Sequence, residues 1–445
     1  MGHLATLGDT VRLRWRQARL SYASRPPRQI AGPASPRLAL FAWALPPNSN
    51  AGVYRPLSFI RYGAALGWHI DAFHGVAPPG QNQHGDALLA RVPASVRLHQ
   101  VPEAGLAPSY RLTPQIDGGF ANALAYAEAA FRLLAASPPD IVLASGPPFH
   151  VFVSALLTAR HFDVPLVLDY RDEWSECPFS FVCASADDRR WESRCLSAAQ
   201  AVIFTTRAHL EHQLAVFPAL DRARTALIPN GWEPDDFSAA PPAPARTTSE
   251  ITRIAHVGTL SGHNLPDAFL ASLADAAALR PELRRSLRVA FIGRRSPEAD
   301  AALRTFPFPE MLEIIDHLEK TESNRRMQQA DALLLLASPG LERYLPGKLF
   351  DYVASRRPVL VFGVSGEAST VVAELGIGAH CPANASGAQF ADALAHTLSA
   401  EAQDRHALDA WLARHRRDRL AAEAFALLNR LADRTTRRPE PSHQT

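Results

Sequence analysis

Short apolar segments with the length of buried strands alternate with helical patterns along this chain, and the alternation stops once and starts again. Between the two runs lies a Pro- and Ala-rich stretch, residues 238–248, with the composition of a linker. Strands and helices that alternate at this spacing predict parallel sheets covered by helices. The predicted strands lie at 38–45, 69–73, 141–144, 166–169 and 201–204 in the first run, and at 251–257, 287–292, 312–315, 332–336 and 358–362 in the second.

A length of 445 residues exceeds what a single hydrophobic core usually supports, so we interpret the two runs as two domains. The fold class is predicted to be α/β, with two Rossmann-like, doubly wound parallel sheets facing each other across a cleft. We also predict C-terminal helices and a polar, disordered tail. Whether these helices pack on the first domain stays open. The predicted bounds are 1–36 for a basic N-terminal arm, 37–240 and 250–410 for the two domains, 411–433 for the C-terminal helices and 434–445 for the tail.

Charge and composition exclude several classes of function. The 46 basic and 44 acidic residues give a net charge of only +2, so we expect no nucleic-acid partner. Four unevenly spaced cysteines fit neither a disulfide scaffold nor a zinc site, and no Asp-x-Asp motif stands out, so we expect no metal. Neither G-x-G-x-x-G at a domain start nor G-x-x-x-x-G-K-[ST] occurs, which disfavours a dehydrogenase and a P-loop NTPase. We therefore expect no cofactor.

The N-terminus carries neither a membrane-spanning run nor the apolar core of a signal peptide, which predicts a cytoplasmic protein. Residues 11–20 interleave four arginines with valine, leucine and tryptophan. This composition fits peripheral contact with an anionic membrane at its inner face, and it fits an unstructured arm as well. Both interpretations stay open.

The most informative segment surrounds Lys348. The chain has only one other lysine, Lys320. Pro346 precedes a predicted helix, and amides at such a helix start, beginning at Gly347, can bind phosphate oxygens. Lys348 and Asp351 lie three residues apart, on one helix face. A cation beside a carboxylate suits a nucleoside diphosphate sugar, with the diphosphate at Lys348 and the ribose at Asp351. The alternative is an exposed Lys–Asp pair of little energetic weight.

Residues 344–360, YLPGKLFDYVASRRPVL, resemble a segment of the retaining glycosyltransferases of family 4, the group 1 enzymes with the GT-B fold. Four further segments resemble family landmarks and occur in the family's order. They are PDIVLASGPP at 139–148, PLVLDYRDEW at 165–174, IPNG at 228–231 and HVGT at 256–259.

The resemblance implies roles for residues of the second domain. Asp351 falls where the second acid of an E-x7-E motif binds the donor ribose, whereas the first acid's position holds Arg343, with Glu342 beside it. The loop that starts at Gly258 usually supplies a cation for the diphosphate, and here it offers only His263 and Asn264. Gly258, His263 and Glu342 are therefore candidate donor-binding residues in which the pattern departs from the family's.

In the first domain, Arg171 and Asp172 are the catalytic candidates, since the resemblance places them on the acceptor side of the cleft. A structural Arg–carboxylate pair is the alternative. Gly52 follows the first strand, where glycine permits close approach of a phosphate or sugar, although a tight turn explains it equally well.

The resemblance implies transfer of a sugar from a UDP- or GDP-type donor to a hydroxyl of a glycan, lipid-linked or small-molecule acceptor, with retention of anomeric configuration. No separate protein base is then needed, because a leaving phosphate oxygen takes the acceptor proton. Two alternatives stay open. One is a catalytically degenerate protein that binds a sugar nucleotide as a sensor or partner subunit, and the other is a sugar-nucleotide epimerase of the same fold.

Overall fold

A computed structural model describes most of the chain. His263, most of the predicted basic arm and the last nine residues of the predicted tail lie outside the described residues. The described ranges are 13–20, 35–78, 82, 85–104, 113–179, 182, 184–237, 251–262, 264–400 and 404–436.

The described residues divide into two compact units. The first unit contains the described residues up to 178, residue 182, 184–229 and those from 420 onward. The second unit contains residue 179 and the described residues within 230–419.

The sheet of the first unit has seven parallel strands in the order β3-β2-β1-β4-β5-β6-β7. Leu38 of the third strand in this order pairs with Ile70 on one side and with Ile141 on the other. The strands are β1 (Arg37–Phe41), β2 (His69–His74), β3 (Arg97–Gln100), β4 (Ile141–Gly146), β5 (Leu166–Tyr170), β6 (Ala201–Phe204) and β7 (Thr225–Leu227).

The second unit has six parallel strands in the order β10-β9-β8-β11-β12-β13. The strands are β8 (Thr252–Val257), β9 (Leu287–Ile292), β10 (Leu312–Ile315), β11 (Ala332–Ala337), β12 (Val359–Gly363) and β13 (Gly378–Cys381).

Helices cover both sheets. Those of the first unit are α1 (13–20), α2 (Tyr54–Ala65), α3 (Gly85–Leu89), α4 (Phe120–Leu133), α5 (His150–Phe162), α6 (Ala186–Ala198) and α7 (Arg207–Val216). Those that follow are α8 (Asp267–Leu279), α9 (Leu283–Ser286), α10 (Pro297–Arg304), α11 (Lys320–Gln329), α12 (Gly347–Ala354), α13 (Glu367–Glu374), α14 (Gly387–Ser399), α15 (Arg405–Arg414) and α16 (Arg417–Thr436).

The sequence of β1 shows why both faces of the first sheet are covered. Successive side chains of a strand point to opposite faces. Leu38 and Leu40 belong to a core with α2 and the part of α16 from Leu420 onward, whereas Ala39 and Phe41 belong to a core with α4 and α5. A continuous apolar strand is thus buried on both sides, as parallel sheets require.

The predicted fold class is confirmed, because both units contain doubly wound parallel sheets. All ten predicted strands are present. The predicted strand at 38–45 ends at Phe41 in the structure, although Ala42, Ala44 and Leu45 after it remain buried.

Candidate functional site

The strand order of the second unit reverses between its two central strands, β8 and β11. In open α/β sheets, ligands bind beyond the carboxyl ends of the strands at such a point. Here β8 is followed by Gly258, and β11 is followed by the loop 338–346 that leads into α12. The segment that resembles the donor-binding motif therefore lies at the switch point.

Helix α12 begins without a side-chain cap. Pro346 is its N-cap residue, and no side-chain hydrogen bond caps it among the described residues. Gly347 is exposed, and an added Cβ there would meet no described heavy atom within 4 Å. The amides at the helix start are thus accessible, and the partial positive charge of the helix end favours an anion.

The ammonium of Lys348 lies at the carboxyl end of β8. Its Nζ is 2.9 Å from the position that a Cβ on Gly258 would take, and Gly258 has a φ of +145°. Burial lowers the pKa of Lys348 to about 8. Because the side chain is partly buried, its ammonium is poorly solvated. A pKa of about 8 nevertheless leaves most of this group charged at neutral pH.

Two buried side chains join β8 to its neighbours beneath Lys348. The Tyr352 hydroxyl accepts from the Val257 amide at 2.9 Å and lies 3.2 Å from the Leu334 carbonyl, to which it can donate. The His256 Nδ1 is 3.0 Å from the same Leu334 carbonyl. Burial, followed by the charge of Lys348, holds the pKa of His256 well below its usual range. His256 is therefore a neutral imidazole.

Asp351 is 7% exposed and forms an ion pair that the sequence did not predict. Its Oδ2 is 2.5 Å from Nζ of Lys320, the first residue of α11. Its other oxygen, Oδ1, is buried and has no hydrogen-bond partner among the described residues. Lysine occurs in this chain only at 320 and 348, and this rarity is the only feature of the sequence that singles out Lys320.

The loop before α12 is held by main-chain contacts. The Glu342 carbonyl accepts from the Glu367 amide at 3.0 Å, at the start of α13. A Cβ on Gly366 would lie 2.6 Å from the Glu342 Cα, so glycine permits this close approach. The Glu342 side chain is exposed, and no hydrogen bond joins it to Lys348 or Asp351 within the described ranges.

In the first unit, Arg171 connects three loops at the carboxyl ends of strands. Its guanidinium donates to the carbonyls of Gly52 at 2.8 Å, Gly146 at 3.1 Å and Pro147. Burial lowers the pKa of Arg171, whereas the carboxylates of Asp172 and Asp169 act in the opposite direction. The structure thus brings Gly52 and Arg171 together.

Asp172 follows in the same loop and is partly buried. Burial raises the pKa of this carboxyl group, against the effect of Arg171, and the nearby Glu173 raises it further.

Sequence reasoning missed a buried ion pair behind this loop. Arg55 of α2 binds both oxygens of Asp169, with Nη2 to Oδ1 at 2.7 Å and Nε to Oδ2 at 2.9 Å. The same guanidinium donates to the carbonyls of Ile228 and Pro229, and Ser145 donates to Asp169. This network anchors the end of β5, from which Arg171 and Asp172 project.

The described residues contain neither a metal-binding cluster nor a membrane-spanning helix. No group of three or more His, Cys, Asp and Glu side chains there is arranged to hold a metal ion. No described helix is both long and apolar enough to cross a membrane.

Residues 50–231 match the family described as glycosyl transferase 4-like domain. This range covers most of the first unit, including Gly52, Arg171 and Asp172. No curated protein matches the chain.

Solved structures resemble the chain along nearly its whole length. A sucrose-phosphate synthase from Thermosynechococcus elongatus has a TM-score of 0.69 and 14% identity, covering 90% of this chain and 100% of that one. HepE from Anabaena, in complex with UDP and glucose, has a TM-score of 0.60 and 14% identity, covering 89% and 100%. A UDP-GlcNAc 2-epimerase from Methanocaldococcus jannaschii has a TM-score of 0.57 and 10% identity, covering 88% and 99%. At these identities, the likeness establishes the fold.

Proposed function

We propose that this chain is a group 1 glycosyltransferase with the GT-B fold, and that it transfers a sugar from a nucleoside diphosphate sugar to an acceptor hydroxyl. Its residues 50–231 match a glycosyl transferase 4-like domain. One observation carries the proposal. Lys348 and Asp351 project from the start of one helix at the switch point of the second sheet. A cation, free helix amides and a buried carboxylate at that place match the diphosphate and the ribose of a sugar nucleotide.

The donor site is proposed to consist of Gly347, Lys348, Asp351, Gly258, Glu342 and His263. Lys348 supplies, from the helix side, the cation that the resemblance expects from the loop after β8, because its ammonium lies beside Gly258. The helix start at Gly347 adds backbone donors, and Asp351 accepts from the ribose. The UDP bound to HepE makes UDP the first nucleotide to test, with GDP as the second.

The acceptor is proposed to bind the first unit at Asp172. Arg171 has its Nε and both terminal nitrogens engaged with backbone carbonyls, which supports a positioning role for it. That arrangement fixes the backbone at Gly52 and at Asp172 without a ligand. The acceptor is then a glycan, lipid-linked or small-molecule hydroxyl.

Transfer with retention needs little from the protein beyond charge stabilisation. As the sugar–phosphate bond breaks, negative charge grows on the departing diphosphate, and Lys348 together with the amides of α12 stabilises it. A phosphate oxygen of the leaving group takes the proton of the acceptor hydroxyl. No cofactor enters this scheme.

The test uses the full chain with UDP- and GDP-sugars, a panel of glycan, lipid-linked and soluble acceptors, and the variant Asp351→Ala. Stabilisation against heat by UDP, GDP, ADP and dTDP ranks the nucleotides, since it grows with ligand concentration over Kd. Sugar transfer that the substitution abolishes, with the anomeric product configuration read by NMR, supports the proposal. A product with inverted anomeric configuration would contradict retention but not sugar transfer itself.

Two alternatives predict other outcomes of the same test. Nucleotide binding without turnover on any acceptor favours a sensor or partner subunit. The epimerase in Methanocaldococcus jannaschii shares the fold, so interconversion of a sugar nucleotide without acceptor would favour that activity.

Helix α1 supports a further proposal, peripheral contact with an anionic membrane. Leu13 and Leu20 are buried, and Arg16 pairs with Glu128 at 2.5 Å, so this helix is anchored to the first unit. Trp15, by contrast, is 62% exposed, with the Arg19 guanidinium 5.6 Å from its ring. An exposed tryptophan beside arginine fits a lipid interface. Co-sedimentation with anionic vesicles should weaken in Trp15→Ala, whereas equal sedimentation would contradict the contact.

A further inference from the structure

The ion pair between Lys320 and Asp351 is asymmetric. Lys320 occupies Oδ2 at 2.5 Å, while the buried Oδ1 has no donor among the described residues. A buried carboxylate oxygen without a donor costs free energy, so such an atom points to a ligand.

The chemistry around Asp351 restricts what that ligand can be. Lys348 and the start of α12 favour an anion, whereas Asp351 is an acceptor and requires a hydrogen-bond donor. A molecule that carries both phosphates and hydroxyl groups meets both requirements. The ribose of a nucleotide provides such hydroxyls close to its phosphates.

We propose that Lys320 is a positioning residue that makes Asp351 select ribonucleotides over deoxyribonucleotides, an inference that rests on the proposed donor site. Lys320 supplies a counter-charge beside the buried carboxylate, and its bond to Oδ2 leaves Oδ1 for the ribose. Without this ammonium, no other described side chain holds the Asp351 carboxylate in the orientation that presents Oδ1.

The use of lysine at this position supports the proposal. The other 44 of the 46 basic residues are arginines, because lysine occurs only at 320 and 348. In another buried ion pair of this chain, Arg55 binds both oxygens of Asp169. A lysine ammonium is a point charge that binds one oxygen, whereas a guanidinium is a fork that takes two. Lysine at 320 is therefore the residue that leaves Oδ1 open.

The experiment compares Kd for UDP, 2′-deoxy-UDP and 3′-deoxy-UDP by calorimetry, or for the GDP series if GDP binds better. For the wild type, we expect at least one deoxy nucleotide to bind about tenfold or more weaker, as the loss of a hydrogen bond to a charged group implies. In Lys320→Met, that ratio should fall toward one. In Lys320→Arg, which keeps the charge, it should fall too, because the guanidinium would cover Oδ1.

Two variants control for indirect effects. Lys348→Met should weaken all three nucleotides while the ratio persists, since Lys348 is proposed to contact phosphate. Arg325→Met, which removes an exposed pair with Glu322 on the same helix α11, should change neither affinity nor ratio.

The possible failures are distinguishable. If no nucleoside diphosphate binds the wild type, the proposed donor site fails. If nucleotides bind but the wild type does not discriminate, or if the Lys320 variants weaken all nucleotides equally and keep the ratio, the selective role of Lys320 is overturned while the donor site stands.

Discussion

The hydroxyl of Tyr352 accepts a hydrogen bond from the backbone amide of Val257 at 2.9 Å. Val257 is the last residue of β8, and Tyr352 lies in the second turn of α12, so this bond fixes the helix against the end of the strand. Lys348 lies one helical turn before Tyr352, and Asp351 lies next to it. The orientation of both proposed donor-binding side chains thus depends on this contact.

We expect Tyr352→Phe to lower the free energy of unfolding by about 1–3 kcal/mol, because a buried amide loses its partner. Since α12 then loses its fixed orientation, nucleotide affinity should fall as well. Chemical denaturation and calorimetric titration with UDP measure the two effects.

The matched control is Tyr126→Phe in the first unit. Tyr126 is also buried, at 2% exposure, but its hydroxyl has no hydrogen-bond partner among the described residues. Its removal should leave stability unchanged or raise it. An equal loss of stability in both variants would mean that the Val257 bond has no special weight.

The central strands could be predicted from the sequence, because burial on both faces makes them continuous apolar runs. The three strands that sequence analysis missed, Arg97–Gln100, Thr225–Leu227 and Gly378–Cys381, all lie at sheet edges. There, pairing depends on backbone hydrogen bonds and the side chains can be polar, so the pattern carries little signal.

The motif around Lys348 was predictable because it is local in sequence, and residues 50–231 match a glycosyl transferase 4-like domain, in agreement with the resemblance. The contacts of the site were not. Lys320 is 31 residues from Asp351, and a single ion pair leaves no periodic pattern. Arg171 binds backbone carbonyls, one of them 119 residues away, and carbonyls carry no residue identity. Which of these residues bind substrate stays a prediction.

Two glycines of the proposed donor site should respond in opposite ways to alanine. Gly258 has a φ of +145°, and its Cβ would meet Lys348, so we expect Gly258→Ala to cost about 1–3 kcal/mol in backbone strain and to displace the ammonium. Gly347→Ala meets no described atom and should fold normally. If phosphate approaches the start of α12 closely, the added methyl group should nevertheless weaken UDP binding. Normal UDP affinity in Gly347→Ala would contradict that approach.

Arg171 and Asp172 should separate stability from activity. Arg171→Ala removes a side-chain donor from three carbonyls, of which that of Gly146 still accepts from the backbone amide of residue 171, so we expect a loss of at least about 2 kcal/mol in unfolding free energy. Asp172→Asn removes a carboxylate whose pKa burial raises, so stability should stay the same or increase. Transfer to the acceptor should still fall in Asp172→Asn, with donor affinity unchanged. If transfer persists at the wild-type rate, Asp172 does not contact the acceptor.

Donor affinity should depend on pH through Lys348. Burial lowers its pKa to about 8, so the free protein loses this charge as pH rises through 8, whereas the unfolded chain keeps it until about 10.5. Between these pH values the folded protein no longer carries this buried charge, so its stability rises with pH. Nucleotide binding weakens at the same time, by up to about tenfold per pH unit above 8. Calorimetric titration with UDP at pH 7, 8 and 9 measures the decline. Lys348→Arg, which stays charged, should bind with little change over the same range, and a decline as steep as in the wild type would assign the titration to another group.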